Sequence, residues 1–190
     1  MTEIIEALQG SDSLPFVVRP ATPDDAPALI EYLKLILSDP MASIADLDEM
    51  LLDVHHQREH LRRTQSSLNS IAFVAVHASE IIGFVTMEPG RRRKISHTVE
   101  LGMSVREDWR GHGVGHALVE RAEAWARANG GFEKIVLNVF SGNLAARRLY
   151  EKAGFVNEGR LRGQVKIGGE RQDLILMAKY LEPGPCPMDV

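Results

Sequence analysis

The feature that most constrains this sequence is a glycine-rich segment between a strand pattern and a helix pattern. The segment Arg110-Gly111-His112-Gly113-Val114-Gly115 follows a strand candidate over residues 97–105. A helix is predicted after it, over residues 113–129, from one apolar stripe at helical spacing: Val114, Leu118, Ala122 and Trp125. Alternate glycines allow a sharp turn that brings several backbone N–H groups towards one ligand, and a helix that starts there adds its positive end. The segment therefore predicts a phosphate-binding turn.

The spacing of the glycines disfavours two common phosphate loops. No Gly-Lys-Ser or Gly-Lys-Thr follows, as a P-loop would require, and the pattern does not match the dinucleotide-binding fingerprint. On this hexapeptide alone, a tight strand-to-helix turn without a ligand stays open as the alternative.

Composition narrows the class of protein. The 190 residues, 44% of them hydrophobic, suit one globular domain. The formal net charge of −4 argues against a protein whose whole surface binds nucleic acid or anionic lipid. The single cysteine, Cys186, cannot form an internal disulfide or a multi-thiolate metal site. Without a signal-like start or an apolar run of membrane length, we expect a soluble, unprocessed, cytoplasmic protein with no nucleic-acid or membrane partner.

Periodicity along the chain predicts one domain of alternating strands and helices over residues 15–181. Residues 1–14 are interpreted as an N-terminal extension and the proline-rich residues 182–190 as a C-terminal tail. The predicted helices cover residues 22–37, 43–63, 113–129 and 144–152. The predicted strands cover residues 16–19, 71–76, 81–87, 97–105, 134–139, 155–161 and 173–180. Gly102, inside a strand pattern, suggests a bulge or a close backbone approach.

A second segment makes the interpretation specific. The run from Asn143 to Phe155 reads Asn-x-x-Ala-x-x-Leu-Tyr-x-x-x-Gly-Phe and begins about 28 residues after the glycine-rich segment. Together with Arg-x-x-Gly-x-Gly after a strand, it resembles the two signature segments of the GNAT superfamily of acyl-CoA-dependent N-acyltransferases. The resemblance is strongest over residues 80–180 and extends weakly to residues 18–26.

The resemblance implies an α/β (α+β) fold with a mixed, mostly antiparallel sheet, split by a β-bulge near the glycine-rich segment and covered by helices on both faces. It also implies acetyl-CoA as co-substrate and no metal. At the positions that match the family's motifs, backbone groups of Met103, Ser104 and Val105 would bind the pantetheine arm of the cofactor. Its pyrophosphate would be bound by Arg110, Gly111, His112, Gly113, Val114 and Gly115. Asn143 would contact the cofactor, and Tyr150 would stand near the thioester sulfur as general acid, although packing beside Leu149 is the alternative for this tyrosine.

Acetyl transfer to an amine requires a base. An alkylamine with a pKa near ~10.4 must lose a proton before it attacks the thioester. One branch of the family carries a glutamate where this sequence has Asn138, which cannot accept a proton at neutral pH. We favour Glu100 as the catalytic base, with His97 and water as alternatives. A backbone N–H such as that of Met103 can stabilise the oxyanion that forms on attack.

The predicted activity is transfer of an acetyl group from acetyl-CoA to a primary amine of a small molecule or a protein, by direct attack in a ternary complex. The alternative is a non-catalytic acyl-CoA-binding sensor or interaction module. The net charge is compatible with a polyamine acceptor but does not select one. The resemblance also suggests a homodimer.

Two other motifs are weaker. His56-Gln57-Arg58-Glu59-His60 matches the metallopeptidase pattern His-x-x-Glu-His, but it has three fixed letters and no third ligand can be singled out. The basic run over residues 91–94 is interpreted as a solvated loop or, if functional, as the rim of an acceptor site.

Overall fold

The computed structural model describes residues 15–45, 49, 52–129 and 131–181, which form one sheet covered by helices. The strands are β1 (Val17–Pro20), β2 (Ile71–His77), β3 (Glu80–Pro89), β4 (Thr98–Val105), β5 (Lys134–Phe140), β6 (Val156–Ile167) and β7 (Glu170–Tyr180). The helices are α1 (Ala26–Leu37), α2 (Val54–Ser66), α3 (Val114–Asn129) and α4 (Leu144–Lys152). The strand order is β1-β2-β3-β4-β5-β7-β6, and every neighbouring pair is antiparallel except β4 and β5. The predicted fold class is confirmed.

Two apolar clusters hold the helices on opposite faces of the sheet. Leu118 and Ala122 of α3 pack in one cluster with Leu101 of β4. Leu29 and Tyr32 of α1 pack in the other, with Leu61 of α2 and Val74 of β2. Because side chains alternate along a strand, β4 directs Val99, Leu101 and Met103 towards α3, and Glu100, Gly102 and Ser104 towards the face that carries α1 and α2.

Two predicted elements differ from the structure. The helix predicted over residues 43–63 begins only at Val54, because the Asp53 side chain accepts a hydrogen bond from the backbone N–H of His56 at 2.9 Å and caps the helix there. The final two strands are longer than predicted and join at Gly168 and Gly169, which have φ of 56° and 94°. The added part of β6 alternates between exposed polar residues and the half-buried Gly163, Val165 and Ile167, so the period-2 pattern continues beyond the predicted end of the strand.

Both predicted tails, residues 1–14 and 182–190, lie outside the described residues, as does Cys186. The domain limits therefore stay predictions. Within the described ranges, no helix combines the length and the apolarity needed to cross a membrane.

The sheet opens between β4 and β5. Thr98, Val99 and Glu100 pair with residues 134–136, and the pairing of the two strands stops there. Each strand continues with its other neighbour, β4 with β3 as far as Val105 and β5 with β7 over its whole length. The predicted split is present. Of the two expectations for Gly102, a bulge is not seen, since the β3–β4 register is unbroken with Gly102 opposite Thr86, whereas the approach is close, since a Cβ atom on Gly102 would lie 3.1 Å from Thr86 Oγ1. The space between the diverging strands is called the gap below.

A buried carboxylate joins the end of β1 to the start of α1. Asp25 accepts hydrogen bonds from two Arg19 nitrogens at 2.6 and 2.7 Å, from the Thr22 backbone N–H at 2.7 Å and from the Thr22 hydroxyl at 3.0 Å. The hydrogen bonds from Arg19 hold the pKa of this carboxyl below its usual range. A carboxyl with a lowered pKa stabilises the fold above its unfolded pKa, and this stabilisation is lost as the pH falls through the folded value.

We expect Asp25→Asn to lower the free energy of unfolding at pH 7 by about 1–2 kcal/mol, because a neutral amide replaces a buried ionised acceptor while solvent already weakens the Arg19 pair. The difference from wild type should shrink as the pH is lowered below the usual carboxyl range. Urea denaturation at several pH values measures it, with Asp24→Asn, an exposed neighbour, as the control. A difference that does not change with pH would show that the ionised form is not what stabilises this junction.

Candidate active site

The segment Arg110–Gly115, here called the glycine turn, follows a short 3-10 helix at Glu107–Trp109 and leads from β4 into the first two residues of α3. Gly111 and Gly113 have φ of 82° and 84°, in the left-handed region that favours glycine. A Cβ atom at either position would meet no atom within 4 Å. These two glycines are therefore required by the backbone shape, and the surface beside them is open.

The glycine turn and the start of α3 carry a run of unsatisfied donors. Within the described residues, none of the six backbone N–H groups from Gly111 to His116 donates a hydrogen bond. The first that does is Ala117, which donates to the carbonyl oxygen of Gly113 at 3.0 Å. The first N–H groups of a helix have no partner inside the helix and carry partial positive charge. This arrangement suits an anion with several acceptor oxygens.

Gly115 places these donors beside the gap. A Cβ atom on Gly115 would lie 2.9 Å from Leu149 Cδ2, 3.7 Å from Met103 Cε and 3.8 Å from Val105 Cγ2. The first turn of α3 thus packs between α4 and the end of β4 that has left β5. The structure brings together the two segments that were matched to the family from sequence.

Two of the predicted site residues are tied to α1 and the residues just after it. The Ser104 hydroxyl lies 2.9 Å from the hydroxyl of Tyr32. Burial raises the pKa of Tyr32, so this phenol stays neutral. The half-exposed Arg110 side chain donates from Nε to the Val105 carbonyl oxygen at 3.4 Å, and its Nη2 lies 3.7 Å from Asp39 Oδ2. Sequence reasoning missed Tyr32 and Asp39, because nothing in the sequence shows which helix packs beside the end of β4.

The start of α4 is capped by Asn143. Its side-chain oxygen accepts a hydrogen bond from the backbone N–H of Ala146 at 3.1 Å. Asn143 therefore has a structural task as well as the predicted contact with the cofactor. Its side-chain nitrogen donates no hydrogen bond within the described residues.

Tyr150, on the last turn of α4, is a buried ring with a solvent-accessible hydroxyl. The residue is 5% exposed, and its ring centroid lies 5.7 Å from that of Phe155. The hydroxyl makes no hydrogen bond within the described residues, and it does not belong to the enclosed polar atoms that lack a partner. Burial raises the pKa of Tyr150 to about 12. The group is therefore a neutral donor at physiological pH.

Glu100 is the last β4 residue paired with β5, so it marks the point where the gap begins. Its exposed carboxylate accepts a long hydrogen bond, 3.4 Å, from the side chain of Asn138. Glu88 of β3 lies directly opposite Glu100 in the register, which brings a second carboxylate to the same sheet face. Sequence reasoning missed Glu88, because only the register of the two strands places it there.

His97, the alternative base, lies away from this point. His97 precedes β4 at the paired end, where its carbonyl oxygen accepts from the Glu133 N–H at 2.8 Å. Three residues of strand, about 10 Å, separate it from Glu100 in the direction away from the gap. His56 and His60 lie on α2, and the described residues contain no group of three His, Cys, Asp or Glu side chains that could hold a metal ion.

Comparison with known proteins decides the family. The model of the acetyltransferase (GNAT) family matches residues 39–155. The chain belongs to this family. An acetyltransferase of the GNAT family from Streptococcus pneumoniae has the same fold, with a TM-score of 0.82 and 30% identity over 87% of this chain and 98% of that chain.

Two further relatives of this GNAT acetyltransferase are informative. The L-amino acid N-acetyltransferase AaaT of Escherichia coli is 29% identical over 134 residues, which are 67% of this chain and 80% of the relative. The structure of yncA from Salmonella typhimurium, solved with its cofactor acetyl-CoA, has a TM-score of 0.79 at 22% identity and covers 90% of this chain and 97% of that chain. The second likeness is one of fold.

Proposed function

We propose that this GNAT acetyltransferase transfers an acetyl group from acetyl-CoA to a primary amine of a small molecule or protein, by direct attack in a ternary complex. The observation that carries the proposal is the run of six unsatisfied N–H donors from Gly111 to His116 beside the gap. A diphosphate offers several acceptor oxygens and negative charge, which match those donors and the positive end of α3. The acetyl-CoA bound to the Salmonella typhimurium relative supports the proposal.

The free edge of β4 suits the pantetheine arm. Beyond Glu100, β4 has a strand partner on the β3 side but none on the β5 side within the described residues. Every second residue of a strand directs its N–H and C=O groups to the same side, so the stretch Met103–Val105 offers hydrogen bonds to an extended chain that contains amides. Asn143, at the start of α4, is the proposed contact from the opposite wall of the gap.

The side chain of Arg110 also contributes to binding of the cofactor's diphosphate. Its guanidinium is half-exposed and 3.7 Å from the Asp39 carboxylate, a separation at the outer limit of an ion pair. Exposed pairs of this kind contribute about 0–1 kcal/mol, so a diphosphate at the glycine turn can take Arg110 from Asp39 at small cost. Arg110 then adds a full positive charge to the partial charges of the amides.

Acetyl-CoA supplies the activated acetyl group as a thioester, and the residues at the gap handle the protons. Glu100 accepts the proton of the acceptor ammonium, directly or through water, because its carboxylate is exposed where the gap begins. The backbone N–H of Met103 stabilises the developing oxyanion. The pKa of Tyr150, about 12, lies above the ~8.5 of an ordinary thiol. Tyr150 therefore stabilises the leaving thiolate first by donating a hydrogen bond to it. Complete transfer of the proton, which its role as general acid requires, costs free energy because the phenol has the higher pKa.

The proposal extends to the setting of the enzyme. The family resemblance supports a homodimer, the composition supports action in the cytoplasm, and the pattern of strands and helices along the chain supports one catalytic domain over residues 15–181.

Binding and turnover of the unmodified protein test the proposal. We expect saturable binding of acetyl-CoA by calorimetry, and thiol release that depends on an added amine. Gly113→Glu should abolish binding, because it places an anion against the phosphates; Gly168→Glu is the matched control, since Gly168 also has positive φ and open surroundings but lies in the β6–β7 turn. Binding without turnover across a broad amine panel would favour the sensor, and absence of binding by folded protein would overturn both functions.

We expect Tyr150→Phe to lower kcat by roughly 10- to 100-fold and to leave the Kd for acetyl-CoA within about twofold. The ring and its packing on Phe155 are kept, so the loss reports the hydroxyl. Steady-state kinetics and calorimetry separate the two quantities, and Tyr180→Phe, which removes a hydroxyl from the end of β7, is the control. An unchanged kcat would remove Tyr150 from the reaction.

We expect Glu100→Gln to lower kcat/KM by about 100-fold at pH 7 and by less as the pH rises towards the pKa of the acceptor amine. The recovery follows because a larger fraction of the amine is then neutral without help from a base. A pH profile of kcat/KM measures it, with Glu133→Gln as a control that removes one exposed carboxylate at the other end of the paired segment. A loss smaller than threefold at pH 7 would assign the proton to water.

A further inference from the structure

A groove with several charged side chains lies between α2 and the end of β3, beside the site described above. Its volume is about 350 Å³, within the range of sites for small molecules. The residues that matter for what it binds are His60, Arg63 and Thr64 from α2, Thr86 and Glu88 from β3, and Arg91 from the β3–β4 connection. This region is called the α2–β3 groove.

The α2–β3 groove leads to Glu100. In the β3–β4 register Glu88 is opposite Glu100 and Thr86 is opposite Gly102. Directly opposite side chains lie on the same face of a sheet, with Cβ atoms about 4.5–5.5 Å apart. A small molecule in the groove therefore has one end beside the proposed base and the start of the gap.

The groove contains two arginines that have few or no competing partners. Arg91 is exposed and makes no hydrogen bond or ion pair within the described residues. Arg63 lies 3.7 Å from Glu59, whose carboxylate is engaged by Arg62 at 2.5 Å. Both guanidinium groups are therefore available to a ligand. A guanidinium presents two parallel N–H groups that match a carboxylate.

The charges of the groove are thus separated. Two arginines come from α2 and the β3–β4 connection, whereas Glu88 on β3 leads to Glu100 on β4. A ligand that carries an ammonium and an anion satisfies both sets of charges at once. A polyamine would place its second cation against these arginines, and a simple amine would leave Arg91 without an anionic partner and Arg63 with only the Glu59 carboxylate that Arg62 also engages.

We infer that the acceptor is a small zwitterionic amine, of the amino acid class, whose carboxylate is bound by Arg63 and Arg91 while its amino group lies at Glu100. This inference rests on the proposed acetyltransferase function. Arg63 and Arg91 are then residues that determine specificity, and they take no part in the proton transfers.

Matched acceptors test the inference. Each pair consists of an L-amino acid and its decarboxylated amine: phenylalanine with phenethylamine, and methionine with 3-(methylthio)propylamine. Spermidine is the polycation of the panel. We expect wild type to prefer the amino acid of each pair by tenfold or more in kcat/KM. We expect Arg91→Gln and Arg63→Gln to lower kcat/KM for the amino acids by about 10- to 100-fold, mainly through KM, since a hydrogen bond to a charged group contributes about 1.5–3 kcal/mol.

Three controls test whether the loss of activity depends on the carboxylate of the acceptor. Arg92→Gln removes a neighbouring exposed charge of the same connection, outside the groove, and should behave as wild type. The decarboxylated amines should react equally with all variants, and the KM for acetyl-CoA should not change. The change in the amino acid to amine ratio between variants is the deciding readout, because it is independent of the different pKa values of the two acceptors.

The possible results distinguish failure of this inference from failure of the proposed function. Equal losses for an amino acid and its decarboxylated amine, or a preference of wild type for spermidine, would overturn the inference and leave the proposed function standing. Absence of turnover with every amine, on protein that binds acetyl-CoA, would overturn the proposed function and this inference with it.

Discussion

The short pairing between β4 and β5 is the constraint on which the rest of the site depends. Three residue pairs hold these strands together, whereas β4 keeps seven pairs with β3 and β5 keeps seven with β7. Both strands therefore stay extended and fixed after they separate. Buried backbone groups normally find partners, so a stretch of β4 that faces the gap is stable only if water or a ligand satisfies it. The fold leaves strand-edge groups and the first amides of α3 open to one space.

The packing around the gap keeps its walls in place. The absence of a side chain at Gly83 lets Leu118 and Val114 of α3 lie close to β3, since a Cβ atom there would be 2.9 Å from both. On β7, Lys179 donates to Glu123 of α3 at 2.6 Å and to the Ala153 carbonyl oxygen after α4 at 2.7 Å. These contacts join α3, α4 and the sheet in one frame. A frame that is already ordered reduces the entropy lost when a long, flexible ligand binds.

The sequence predicted the parts of the site that depend on local chemistry. The left-handed glycines of the glycine turn, and α4 with its cap at Asn143 and its end before Gly154, are where the residues indicate. The contacts of Tyr32 and Asp39 with β4 and the glycine turn come from tertiary packing, and the position of Glu88 comes from strand register. Neither leaves a periodic signal in one sequence. The roles of Glu100 and Tyr150 stay predictions, because position alone does not show which group moves a proton.

The acceptor illustrates the difference between total charge and local charge. A net charge of −4 over 190 residues is compatible with a cationic acceptor. Screening, however, limits the influence of an exposed charge to about 8–10 Å at physiological salt, so a bound molecule responds mainly to its immediate neighbours. In the α2–β3 groove those neighbours are Arg63 and Arg91 beside Glu88, with Glu100 adjacent. The formal charges of these four residues sum to zero, but the positive and negative groups are separated. The selection proposed for this groove therefore depends on the positions of the charges on the acceptor, which the net charge of the protein does not describe.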